Sequence, residues 1–433
     1  MKIVIVGAGL AGLSAAARLQ RAGIELTVLE ARARVGGRVH TVTGPFRDGQ
    51  HADLGAELVD EGQSAIIELC GDLDLHLTPE FSLLGGELVF DGHVLAPEAA
   101  RALFGEFRTG RRTAAPRPWE PMAAWAARVP LSEPARQLAA AGAGMNAMTA
   151  PAECTTDRFF EVPTGRRCWR IAEGSDAVAR ALARDVDVRL GEVVLAVRRG
   201  AGGVTVETDS GAHAGDEVIV AVPPPLVLDL GFDPPLPEWK VGALLNLRMG
   251  GGGKVLAQYA EGAVLRDRLA RGCITNGSSS IIWATGAHQP GDSCVVAGLV
   301  GAEFAHVLDS PEDALRELDR SLSGLAGVPL TRIAGFTHSW SRDPFSKSTV
   351  PAPRPGEVPV LAADADRVRF VGDYTDPDWP GFMEGAVRSG YRAAADILGA
   401  VSVGRHFGGP PRPSSQRPQD EAQRPRVAEG KVG

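Results

Sequence analysis

The chain has 433 residues, 44% of them apolar and 6% aromatic, and a formal charge of −8 at pH 7. That length and apolar content can fill two ordinary cores. The acidic balance, with no dense Lys/Arg block, leaves no electrostatic footprint for nucleic acid. Five widely spaced cysteines, Cys70, Cys154, Cys168, Cys273 and Cys294, show no C-x-x-C or His-paired metal spacing. They read as reduced thiols of a cytoplasmic protein, with no metal site expected. A strand pattern begins directly after Met1-Lys2, which leaves no room for an export signal, and no apolar run reaches about 18 residues, so no membrane span is expected. No heptad is readable, so no oligomeric state is assigned.

The first stretch, Lys2 to Arg38, reads KIVIVGAGLAGLSAAARLQRAGIELTVLEARARVGGR. Ile3 to Val6 is a continuous apolar run, as a strand buried on both faces requires. It ends in Gly7-x-Gly9-x-x-Gly12. Gly7 permits the tight turn, Gly9 lets the backbone approach a pyrophosphate, and Gly12 lets the next helix pack closely on the sheet. That helix is expected over Ala11 to Ala22, closed by Gly23, with its N-terminal N–H groups facing the diphosphate. A second strand, Glu25 to Leu29, ends in Glu30, whose carboxylate stands where it can accept both ribose hydroxyls of an adenosine. A strand before the glycines, a helix after them and an acid 18 residues beyond Gly12 predict a dinucleotide site.

The following loop separates one dinucleotide from another. An NAD domain would ordinarily continue into another βαβ unit, whereas Arg32, Gly36, Gly37 and Arg38 form a basic, glycine-rich loop here, and ADLGAELV follows at Ala52 to Val59. Such a loop suits a longer cofactor whose pyrophosphate and flavin ring pass over it. The competing reading of Arg32 and Arg38 is solvated surface charge.

With these residues in place, the sequence resembles the flavin-containing amine oxidase family, which includes monoamine oxidases, polyamine oxidases, L-amino acid oxidases and histone demethylases of that type. The resemblance implies an α/β protein: an FAD-binding Rossmann-type (GR2-like) domain with a discontinuous α+β substrate domain. It implies that FAD lies along Gly7, Gly9, Leu10, Ala11 and Gly12, against Glu30, Ala31, Arg32, Gly37 and Arg38, and past Gly55, Ala56, Glu57 and Leu58. The expected FAD segments are 1–75, 171–235 and 346–404, the substrate segments are 76–170 and 236–345, and 405–433 is a disordered tail.

From Gly174 the pattern is a helix followed by four short strands. GVTVET alternates with period 2 and is followed by the turn DSGA, which signals a hairpin, and DEVIVAVPPP is a buried strand ended by prolines. The same succession in the family implies that Val194 contacts the adenine through its backbone and that Pro223 ends the strand beside it. On chemistry alone Val194 is equally an ordinary core valine. Further on, LRMGGGGKVLAQY places Lys254 in a strand after four glycines. A lysine pointing into an apolar sheet is costly unless its ammonium finds a partner or water, and an edge or snorkelling lysine is the commoner case. The resemblance implies instead that Lys254 is catalytic, holding a water against the flavin N5 and assisting reaction with oxygen.

A second block lies at the C-terminal end. Val368 to Val371 reads as a strand ending at Gly372-Asp373, and a loop leads to Gly381-Phe382-Met383-Glu384-Gly385 and a helix to Leu398. Small residues Ala386, Ser389, Gly390 and Ala393 let that helix approach other backbone closely. Its N-terminus carries free N–H groups and about half a unit of positive charge, suited to the anionic edge of a reduced flavin. The resemblance therefore adds Gly372, Asp373, Gly381, Phe382 and Met383 to the FAD contacts. It places Thr349 where monoamine oxidases carry the cysteine bonded to flavin, so FAD is expected to be non-covalent. The two aromatic rings that sandwich the amine in those enzymes align with Val350 and Phe382, so half of the cage is missing and a bulkier, less basic substrate fits more easily. Trp379 is a substrate wall or a core aromatic. Tyr374 and Asp376 contact flavin or solvent, and His338 and Asp343 read as structural polar residues rather than an acid/base pair.

The tail from Gly408, rich in Pro, Gln, Ser and charge, cannot offset its ordering entropy by burial. The function expected from the whole chain is FAD-dependent oxidation of an amine or amino acid C–N bond, with a small-molecule substrate and molecular oxygen as the partners. The alternatives are a desaturase or dehydrogenase acting on a C–C or C–O bond, and a non-catalytic FAD-binding protein.

Overall fold

The computed structural model describes residues 1–80, 86–160, 167–285, 288–354 and 356–407, with backbone only from 402 onward. The tail expected to be disordered lies, from Gly408, outside the described residues. The elements that position the site are β1 (Lys2–Val6), α1 (Leu10–Arg21), β2 (Glu25–Glu30), β3 (Val188–Leu190), β4 (Glu217–Val220), β5 (Gly253–Tyr259), β6 (Val368–Phe370) and α2 (Met383–Phe407).

The apolar run of β1 is buried on both faces, as its sequence demands. Ile3 and Ile5 join the core beneath α1 and α2, while Val4 and Val6 join a second core with Val218, Val220 and Phe370. β1 is the centre of a fully parallel five-stranded sheet in the order β3-β2-β1-β4-β6. The sheet thus gathers strands from the N-terminal, middle and C-terminal parts of the chain, and parallel strands place their C-terminal ends on one edge, where ligands of open α/β sheets bind.

α1 and α2 pack side by side on this sheet. A Cβ on Gly390 of α2 would overlap the carbonyl oxygen of Ala11, so the close approach expected from its small residues is real. α2 continues to Phe407, past the end expected at Leu398 and past residue 405, where the tail was expected to begin. No proline interrupts residues 399–407, which are small or apolar apart from Arg405 and His406. Glu384, fully buried in the first turn of α2, accepts the backbone N–H groups of Ala65 and Ile66 at 3.1 and 2.8 Å and so caps the helix Ser64–Asp72.

The hairpin predicted around GVTVET is present. Val194–Gly200 pairs antiparallel with Gly203–Thr208, which pairs in turn with Ala212–Gly215. A separate seven-stranded sheet carries β5 between Arg332–Ser339 and Cys294–Val300, with Ser279–Thr285 beyond. Alternation along β5 sends Val255, Ala257 and Tyr259 to a core with the helix Pro311–Ala326, and Leu256 to another with Trp283 and Trp340. Lys254 shares the Leu256 face by the two-residue period, the face turned toward the first chain segment. Among the described residues no helix is long and apolar enough to cross a membrane.

Candidate active site

A cavity of about 480 Å³ runs from the C-terminal ends of β1 and β2 to the start of α2. At its nucleotide end the turn Gly7–Gly9 leads into α1, whose first-turn N–H groups have no intrahelical acceptor. Glu30, 4% exposed at the end of β2, accepts the N–H groups of Ala8 and Arg32, both at 2.9 Å, so its carboxylate is oriented from two sides. Gly36 donates to the Ala8 carbonyl at 2.8 Å, which lays the basic loop against the glycine turn. Val194 and Pro223 line the same end.

The two arginines of that loop are anchored rather than free. The Arg32 guanidinium pairs with Asp343 at 2.5 Å and donates to Ser346 Oγ at 2.9 Å. Arg38 pairs with Asp373 at 2.6 Å and donates to the Thr349 carbonyl. Both line the cavity, so the positive charge is retained along its wall while the first segment is fastened to the third. Asp343 therefore serves Arg32. His338 Nε2 lies 3.6 Å from the other Asp343 oxygen and makes no hydrogen bond.

The far end is formed by Gly372, Asp373, Tyr374, Gly381, Phe382 and Met383 together with Thr349 and Val350. Tyr374 is fully buried and its hydroxyl has no protein partner, and the same is true of the buried Thr349 hydroxyl. Val350 and Phe382 both face the cavity, so the two positions of the expected cage are brought together with one ring between them. Met148, Leu299 and Trp340, which the sequence did not single out, complete the wall. None of the five cysteines lines it.

Five residues considered for the site stand outside the cavity wall. Gly12 is beneath the glycine turn, where a Cβ would overlap the Gly7 carbonyl oxygen: it acts through packing. Glu57 and Leu58 lie behind Gly55 and Ala56, which do line the cavity. Trp379 is half-buried behind Phe382, edge-on at 5.4 Å between ring centroids, and supports that ring from outside the cavity. Asp376, expected at flavin or solvent, is buried, accepts the N–H groups of Asp378 and Trp379 at 3.1 and 2.9 Å, and shapes the loop before α2.

Lys254 lines the cavity from β5. Its ammonium donates to the Asp53 carbonyl at 2.9 Å and to Glu57 at 2.5 Å, and lies 4.9 Å from the Trp283 ring centroid. Burial pulls its pKa down to about 7, with Asp53 opposing and Arg170 reinforcing the shift. Behind it, Glu57 also accepts from Arg170 and from Trp283 Nε1, the latter at 3.2 Å, and Arg170 donates to Glu80 at 2.9 Å. The sequence reading missed this network. The available signal was Arg170 itself, an arginine inside the apolar strand Cys168–Ile171 that had to have carboxylate partners.

The arrangement fits FAD. A Cβ on Gly9 would meet nothing within 4 Å, so the turn leaves open space where a pyrophosphate approaches a helix N-terminus. Glu30 supplies a ribose acceptor, Arg32 and Arg38 supply charge, and two unpartnered buried hydroxyls stand at the opposite end. The profile of the family described as Flavin containing amine oxidoreductase matches residues 10–149 and 148–398. The chain belongs to that family. It is an FAD-dependent oxidoreductase. The sequence is 27% identical to the pseudooxynicotine dehydrogenase of Pseudomonas sp, over 92% of this chain and 87% of that protein. It is 26% identical to the flavin-containing amine oxidase B of Homo sapiens, over 92% and 86% respectively. In structure, the cyclohexylamine oxidase of Brevibacterium oxydans IH-35A matches with a TM-score of 0.76 and 21% identity, over 93% of this chain and 99% of that one, a likeness of fold.

Proposed function

We propose that this flavin amine oxidoreductase oxidises the C–N bond of an amine or amino acid derivative to an imine, which water then hydrolyses, while oxygen is reduced to hydrogen peroxide. The observation that carries this reading is Lys254, a buried lysine that lines the same cavity as Val350 and Phe382. FAD, when bound, supplies the two-electron acceptor for the substrate hydride and the reductant for oxygen. The protein supplies position. Phe382, braced by Trp379, and Val350 form the wall against which the substrate body lies, and the start of α2 at Met383 brings backbone N–H groups to the cavity. Lys254 holds a water and stabilises negative charge developing on oxygen.

The substrate end favours an amine with an apolar body over a diamine. Met148, Leu299, Trp340, Val350 and Phe382 contribute no carboxylate. The acids that line the cavity, Glu30, Glu192, Asp229 and Asp373, stand on the three segments assigned to FAD. The expected test is aerobic: a broad panel of primary and secondary monoamines and amino acid derivatives should release peroxide together with the aldehyde or keto product. A silent panel removes the reading. The missing second ring keeps one rival in view, a desaturase or dehydrogenase acting on a C–C or C–O bond. Reduction by a non-amine substrate, followed by slow reoxidation in air, selects it.

A further inference from the structure

We propose that Glu57 is a positioning residue for Lys254: its carboxylate fixes the lysine ammonium in the cavity wall and keeps it charged. The inference rests on the reading of Lys254 given above and extends it to the groups behind that residue.

The geometry leaves Glu57 little freedom. It follows Gly55 and Ala56, which line the cavity, but turns away from the cavity into the protein, where it is 5% exposed. One carboxylate oxygen takes Lys254 at 2.5 Å, and the other takes Arg170 and Trp283 Nε1. Arg170 is fixed by Glu80 on its far side. The carboxylate is therefore held by donors from two other strands, Cys168–Ile171 and Ser279–Thr285, and meets Lys254 from a third direction.

The charges around Lys254 decide what that contact does. Glu57 and Asp53 face it from the first segment, and the Asp53 carboxylate is occupied by Thr41 at 2.6 Å and by Ser175 at 3.0 and 3.1 Å, leaving its carbonyl for Lys254. Arg170, a cation, stands behind Glu57. His338 is the register partner of Lys254 on one neighbouring strand, and apolar Leu299 is its partner on the other. Burial and Arg170 both press the ammonium toward neutrality. Glu57 is the one carboxylate among the described residues in direct contact with it, so removing that charge leaves a buried lysine that loses its proton.

Glu57→Gln keeps the shape and removes the charge. The chain has only five lysines, Lys2, Lys240, Lys254, Lys347 and Lys431, so the Nζ resonance of Lys254 in nitrogen-15 lysine-labelled holoenzyme can be assigned with Lys254→Met as the blank. In Glu57→Gln the titration midpoint of that resonance should fall by at least about one unit, about tenfold in proton affinity. Glu57→Asp, which keeps the charge at greater distance, should recover part of the shift. In enzyme reduced with dithionite, the pH above which oxygen reacts slowly should move down by the same amount. An unchanged midpoint in Glu57→Gln overturns the proposal, as does an oxygen profile that moves without it. If the Gln variant does not retain FAD, the Asp variant decides: a lowered midpoint supports the proposal and an unchanged one overturns it. None of these readouts uses an amine, so their failure is separate from failure of wild-type protein to oxidise amines.

Discussion

Arg38 and Asp373 meet at 2.6 Å across 335 positions of sequence. The arginine comes from the glycine-rich loop after β2 and the aspartate from the turn after β6, and both line the cavity. The contact joins the nucleotide-binding half of the site to the half that carries α2. Asp373→Ala removes a buried carboxylate and leaves Arg38 without its counter-charge. FAD retention should weaken by about 2 kcal/mol, roughly thirtyfold in Kd, measured by titrating apoprotein with FAD. An unchanged Kd would show that the two segments are held together without this pair.

The resemblance to the family implies that Thr349 stands where covalent monoamine oxidases carry a cysteine, and every cysteine of the chain is buried away from the cavity. FAD is expected to be held without a covalent bond. Acid precipitation should leave all of the yellow colour in the supernatant. Flavin that stays with the pellet, and with one peptide after digestion, would contradict this.

Burial pulls the Lys254 ammonium down to about 7, and in the proposed function the charged form is the one that assists oxygen. The sign follows: the ammonium is present below that pH and is lost as pH rises through it. Oxidation of the reduced enzyme by oxygen should be fast below about pH 7 and decline above it. In Lys254→Met the reaction should be slower, on the order of 10²-fold, with the pH dependence in that window gone and FAD still bound. Stopped-flow mixing of reduced enzyme with oxygenated buffer gives both results.

Val350 and Phe382 both line the cavity, and Val350 stands beside Gly381. Val350→Tyr adds a second ring to that wall and narrows the space. The kcat/KM for a slender primary amine should rise by about tenfold relative to that for a bulky one, an effect of about 1.4 kcal/mol. A panel of paired substrates measures the ratio, and a ratio that does not move takes Val350 out of substrate selection.

The legible parts of the sequence were those whose chemistry is local. Ile3 to Glu30 contains a strand, a glycine turn, a helix and an acid within one continuous stretch, and the structure closes them into one end of a cavity. The small residues of α2 likewise announced a close helix contact, realised at Gly390 against Ala11. Lys254 was visible as an anomaly, a cation in an apolar strand, but its partners were not. Glu57, Arg170, Glu80 and Trp283 come from four separate stretches and meet through strand register that only the folded chain sets. Trp379, read as a substrate wall or a core aromatic, was left undecided for a related reason. It lies in a loop without periodicity, so nothing in the order of residues shows that Phe382 stands between it and the cavity.

Amine oxidation in this cavity is tested by anaerobic mixing. Wild-type protein carrying FAD, freed of oxygen and mixed with an apolar monoamine series, should lose its yellow absorbance at a rate that saturates with amine concentration, and admission of air should restore the colour with release of hydrogen peroxide. If every amine leaves the absorbance unchanged while a non-amine substrate bleaches it, the protein is not an amine oxidase.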